Sequence, residues 1–290
     1  MLDFVVRKIL VPVNGGHRTA TLREFGPEDA RVTIFYIHRF GGGGLEFSGP
    51  AEQLVEAGHR VCCLDLFGHE ASQWLEPDEY SPNNDISSVR AVLRSYSDRP
   101  MLVVGNGWGG HIALHSIKPE YENLIGIYLF DYVNTVQYAV DIVMPLEHSI
   151  ADIATTDLEQ FERELRQLSG PYGRFGKFVS AIALQRVQEL GNVFKFPVHA
   201  AAFRQFFADP SRTYSSGAQL VRQTCPVAII NGRLAEFKNL IHPPKRLDRI
   251  PKNISTYTSP KMGFLTWNAA KAVDQIIEFL SVDQPGAKDE

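Results

Sequence analysis

Cysteine is scarce: a chain of 290 residues holds three, adjacent Cys62 and Cys63 in an apolar run and Cys225 before Pro226. That set builds neither a disulfide ladder nor a CxxC metal pair, so the thiols read as reduced packing residues. Neither sign of charge dominates. Lys and Arg number 29 against 33 Asp and Glu, a scattered net charge of −4, and the basic stripe that nucleic-acid binding needs is missing. Apolar runs such as Leu124–Phe130 fall far short of the ~18 residues of a membrane helix, and the first residues hold no apolar segment ending in a cleavage site. The expectation is a soluble, cytoplasmic protein without nucleic acid or membrane among its partners. No pattern fixes its oligomeric state.

What is present suits a folded core. Hydrophobic residues make up 44% and charged residues 21%, ordinary globular usage. Against the usual ~150 residues per domain, this length fits one large domain or a core with an insertion. Short apolar or alternating runs predict strands at Val6–Val13, Thr19–Phe25, Val32–His38, Arg60–Leu66, Met101–Gly105, Leu124–Asp131, Val227–Asn231 and Ile254–Thr258. Helical spacing follows most of them from the third on, at Pro50–Ala57, Asp85–Tyr96, Gly109–Ile117 and Lys271–Leu280. Strand and helix in alternation predict a mostly parallel sheet covered on both faces, entered through an antiparallel start. From Val133 to Ser216 the strand rhythm stops, and amphipathic stretches at Asp157–Leu168, Phe175–Leu190 and Val198–Phe207 predict a helical insertion.

The stretch from Met101 through Gly105, Asn106, Gly107, Trp108, Gly109 and Gly110 is a strand, a sharp turn of small residues and a helix start. That is the setting of a nucleophile elbow. Ile37-His38-Arg39-Phe40-Gly41-Gly42 stands where a His-Gly-x oxyanion loop would be, and Asp65 to Ser72 looks like an Asp-x-x-Gly-His-Gly-x-Ser stretch. On these motifs the chain resembles the α/β-hydrolase superfamily over nearly its whole length, with some haloalkane-dehalogenase-like features. The resemblance implies an eight-stranded, mostly parallel sheet flanked by helices, with a core over 1–134 and 215–290 and a helical cap over 135–214, inserted after the sixth strand.

The same resemblance marks what has changed. Matched residue by residue, Gly107 takes the place of the nucleophile, Ala235 that of the acid and Gly263 that of the base, with Glu236 one residue from the acid position. Losing the nucleophile or base of a triad costs on the order of 10⁶ in turnover, so conventional ester, amide or epoxide hydrolysis is not expected. By analogy the amides of Phe40 and Trp108 would form the oxyanion hole. His38 reads as structural beneath that hole or as a general acid/base. Arg39 replaces a family glycine and is either solvated, a charge for an anionic ligand, or a wedge displacing the loop. Asp131, at the end of the sixth strand, matches the alternative acid of dehalogenase-like members or is structural, and Asn106 either bonds a neighbouring loop or faces the pocket.

His69 reads as structural. His111 and His115, one helical turn apart, lack the further ligands a metal needs, and Gly41–Gly44 lacks a Walker pattern; no metal and no cofactor are expected. Aromatics in the insertion, among them Phe161, Phe194, Phe196 and Phe203, predict an apolar pocket for a small apolar or aromatic molecule bearing an oxygen. Three functions follow: a non-hydrolytic binder with cofactor-independent isomerisation, cyclisation, elimination or aldol-type chemistry open to it; a non-enzymatic pseudo-hydrolase serving as receptor, carrier or partner-binding protein; or a hydrolase with a relocated nucleophile.

Overall fold

A computed structural model describes residues 3–13, 15–132, 144–207, 216–231, 252–258 and 269–282. Eight strands form one sheet: β1 (Phe4–Val13), β2 (Gly16–Phe25), β3 (Thr33–Ile37), β4 (Arg60–Asp65), β5 (Met101–Asn106), β6 (Leu124–Phe130), β10 (Val227–Asn231) and β11 (Ile254–Thr258), in the order β1-β2-β4-β3-β5-β6-β10-β11. The first two pairings are antiparallel and all later ones parallel. Every residue of β3, β4 and β5 is buried, as a sheet covered on both faces requires. The strand expectations are met within a few residues at each end.

Helices α1 (Ser48–Glu56) and α9 (Ala269–Val282) cover one face, α2 (Pro82–Arg94) and α3 (Trp108–Ser116) the other. Local chemistry sets their starts. The Ser81 side chain accepts from the Asn84 N–H and Pro82 opens the first turn of α2, which supplies an orphan amide with a partner and pre-sets φ.

The insertion holds α4 (Met144–Ala151), β7 (Ala154–Thr155), α5 (Leu158–Ser169), α6 (Gly173–Arg186), β8 (Gln188–Leu190), β9 (Val193–Lys195) and α7 (Ala200–Phe207), before α8 (Gly217–Val221) returns to the core. It is not purely helical. The helix expected over Phe175–Leu190 ends at Arg186, and its last residues instead form a hairpin with β9 across Gly191-Asn192, within a three-stranded sheet. The cause is the turn: Gly191 sits at φ +68, a conformation open to glycine that reverses the chain in two residues. The expected cap boundaries at 134/135 and 214/215 fall outside the described residues. Phe161, Leu165, Phe196 and Phe203 belong to the same buried cluster as Leu66, Phe67 and Trp108, so cap and sheet share one core.

Candidate active site

The elbow is built. β5 ends at Asn106, Gly107 adopts φ +49, ψ −113, and α3 starts at Trp108. Gly107 N–H donates to the Phe130 carbonyl at 2.9 Å, and its own carbonyl accepts from Gly110 N–H at 3.0 Å. The neighbouring glycines are obligatory: a Cβ on Gly109 would lie 2.1 Å from the Ile37 carbonyl oxygen, and one on Gly105 2.6 Å from Gly110 Cα. At Gly107 a Cβ would meet, among the described residues, only Arg39 Cβ, at 3.5 Å, an ordinary contact. The turn thus holds glycine at φ +49 and, among the described residues, leaves room beside it for a side chain. The other two matched positions, Ala235 and Gly263, and Glu236 beside the first, lie outside the described residues.

The loop opposite follows β3. His38 is fully buried; its Nδ1 donates to the Arg39 carbonyl at 2.6 Å and its Nε2 accepts from Leu66 N–H at 2.9 Å. His69 repeats the pattern, Nδ1 donating to the Phe67 carbonyl and Nε2 accepting from Gly41 N–H at 3.1 Å. Both are therefore neutral. Burial pushes His38 down to about 3 and His69 well below the ordinary imidazole value. With both ring nitrogens spent on backbone, His38 holds the loop; the acid/base reading has no nitrogen to work with here. The Phe40 ring points between His69 and Phe203, with centroids 4.9 and 4.8 Å away.

Arg39 is neither solvated nor open to an anion. Its Nη1 donates to Glu147 Oε1 at 2.6 Å and the Phe40 carbonyl at 3.0 Å, and Nη2 to Glu46 Oε1 at 3.2 Å. Burial works against its charge, but the two carboxylates outweigh burial and raise its pKa. Burial pushes the Glu147 carboxyl up, and Arg39 opposes that shift. Arg186, the last residue of α6, closes the cluster from the cap. Its Nε and Nη2 donate to Glu70 Oε1, Nη1 to Glu46 Oε1 and the Gly41 carbonyl, and Nη2 also to the Gly42 carbonyl. All five N–H groups are spent.

Between this cluster and the elbow lies a cavity of about 400 Å³, whose walls include Arg39, Glu46, Glu70, Asn106 and, as its apolar part, Leu45, Ile182 and Val187. No aromatic side chain among the described residues lines it; Phe161, Phe196 and Phe203 instead weld the cap to the core. Of the residues singled out from sequence, the cavity brings together Arg39 and Asn106. Trp108 turns away into the core, its indole N–H donating to Asp85 Oδ2 at 3.4 Å. Burial pushes that carboxyl up to about 7. Asp131 follows β6 at φ +45, half-buried, its N–H donating to the Ile230 carbonyl at 2.9 Å, and it is not among the cavity's described walls.

Sequence reasoning missed Glu46, Glu70, Glu147 and Arg186. The available signal was Arg39 itself, since a cation replacing a buried glycine demands acids nearby. It missed a second buried cluster too: Ser216 Oγ lies 2.8 Å from His111 Nδ1 and 2.6 Å from the Tyr132 hydroxyl. No group of three or more His, Cys, Asp or Glu among the described residues is arranged to hold a metal ion, and no helix among them is long and apolar enough to cross a membrane.

Elbow, loop and cap together identify the architecture, and a sequence profile of the Alpha/beta hydrolase family matches residues 34–254. The chain belongs to that family. Among curated proteins, AB hydrolase superfamily protein YfhM of Bacillus subtilis is 32% identical over 115 residues, 38% of each chain, and Lipase LipV of Mycobacterium tuberculosis is 31% identical over 110 residues, 38% of this chain. This chain spans 38% and 40% of the lengths of those two relatives. Among solved structures, an alpha/beta hydrolase from Novosphingobium aromaticivorans superposes with TM-score 0.71 at 14% identity, covering 97% of this chain and 99% of the other. A hydrolase from Rickettsia typhi gives 0.67 at 14% identity, covering 96% and 99%. At such identities the likeness concerns the fold.

Proposed function

We propose that this α/β-hydrolase family member is non-hydrolytic and binds a small oxygen-bearing molecule in the cavity between elbow and cap. One observation supports the reading: Gly107 adopts φ +49, ψ −113 at the turn between β5 and α3, with room beside it among the described residues, and offers no attacking atom. The cavity is of a size usual for small-molecule sites. The apolar body of such a ligand would lie on Leu45, Ile182 and Val187. With His38 committed to backbone, any chemistry on that ligand rests on orientation and electrostatic stabilisation, not on a covalent intermediate.

A second reading, a hydrolase with a relocated nucleophile, draws on the 2.8 Å contact between Ser216 and His111, a distance suited to a serine and its base. Ser216 is fully buried, so this reading requires an opening to reach substrate. Native mass spectrometry of the purified protein combined with a fluorophosphonate probe separates the two. The first reading expects a small molecule retained without covalent modification; stoichiometric labelling of one residue overturns it, and labelling at Ser216 establishes the second.

A further inference from the structure

Three carboxylates meet two guanidiniums beside the cavity: Glu46, Glu70 and Glu147 against Arg39 and Arg186, one negative charge in excess. Not every acceptor is used. Both arginines donate to Glu46 Oε1, at 3.2 and 3.0 Å, while Oε2 has no donor among the described residues. On the cavity floor Asn106 is only 3% exposed, yet its carboxamide makes one contact, Nδ2 to the Tyr36 hydroxyl at 3.5 Å. Its carbonyl oxygen has no partner among the described residues. Asn106 and Glu46 both line the same cavity.

Two acceptors without a donor and one negative charge in excess, counted among the described residues, favour a cation that donates hydrogen bonds. A metal ion is a poor fit, since no described acidic cluster is arranged for one and about 400 Å³ with a wall of Leu45, Ile182 and Val187 suits an organic molecule. We propose that the ligand is a small organic ammonium ion, bound through its N–H groups by Glu46 Oε2 and the Asn106 carbonyl, with its hydrocarbon part on the apolar wall. The inference rests on the reading of this cavity as a small-molecule site and adds the charge of its occupant.

The test uses three probes of matched shape on the intact protein: phenethylammonium, 2-phenylethanol and 3-phenylpropanoate, followed by calorimetry. Phenethylammonium should bind at least about tenfold more tightly than the alcohol, with the carboxylate weakest. Asn106→Asp, which adds charge at nearly constant volume, should tighten ammonium binding by about tenfold, and Asn106→Leu should weaken it as much; thermal melts of both variants check that they fold. A carboxylate preference, equal binding of all three, or no ammonium binding at millimolar concentration overturns the inference. If the alcohol or carboxylate binds where the ammonium does not, the charge assignment fails while the cavity reading stands. Covalent labelling by the fluorophosphonate removes the reading beneath it.

Discussion

The elbow at Gly107 and the loop facing it are held in place by opposite means. The elbow, residues 105–110, keeps its backbone and carries nothing reactive; the loop at 38–44 is crowded with ion pairs that reach α4, α6 and the turn at Gly44–Phe47. The contrast separates what holds an active site from what makes it react. Gly105 and Gly109 fix the elbow by letting α3 cross tightly over β5 and the end of β3, and the turn asks nothing of a side chain at Gly107. A guanidinium at Arg39 has wider consequences, because a lone buried charge costs several kcal/mol and needs partners. Glu46 and Glu147 supply them.

The sharpest way to break this comparison is Gly109→Ala. With a new Cβ 2.1 Å from the Ile37 oxygen, the variant should lose about 4 kcal/mol or more, or fail to fold, in chemical denaturation; a mild effect would mean that close crossing does not fix the elbow. On the opposite side, Arg186→Ala leaves Glu46 with Arg39 alone, leaves Glu70 with Gln188 alone and strips the Gly41 and Gly42 carbonyls of these donors, and should cost roughly 3 kcal/mol, seen as a lower Tm. Arg186→Lys should recover only part of that, since an ammonium has three donors.

Acid should next strike the loop more than the elbow. Unfolded imidazole titrates near 6.5, whereas folded His38 has fallen to about 3, so the unfolded chain binds more protons between those values. Stability is complete above about pH 6.5 and drains away as pH falls toward 3; a Tm that stays flat between pH 7 and 4.5 would contradict a buried neutral pair. Smaller is Gly107→Ser, expected to cost about 2 kcal/mol for a side chain at this φ and ψ, well below Gly109→Ala in the same denaturation series. Opposite in sign is Asp85→Asn under Trp108. The folded carboxyl titrates at about 7, above its unfolded value, so its burden on stability appears as pH rises from about 4 through 7. The variant should be more stable than the parent at pH 8 and indistinguishable from it near pH 4, read from Tm at the two pH values.

How much the sequence discloses differs along the same divide. The core strands, with every residue of β3 and β5 apolar or small enough to bury, announce themselves by composition, and Gly105 to Gly110 announces a strand, turn and helix. The cap hairpin was hidden because Gln188–Leu190 continues a helical pattern until Gly191 reverses the chain. Asn106 was placed at the site by adjacency to the elbow. Glu147 was not, because 108 positions separate it from Arg39, and no local spacing rule joins residues that meet only after the cap folds over the sheet. The cap aromatics show the same blindness: composition reveals an apolar surface but not which side of it becomes glue and which a wall.

Arg186 has spent every N–H it owns on two carbonyls and two carboxylates, so lifting the end of α6 off the loop means rupturing the whole set together. The last turn of α6 and the backbone at Gly41–Gly42 should accordingly resist hydrogen exchange as one unit.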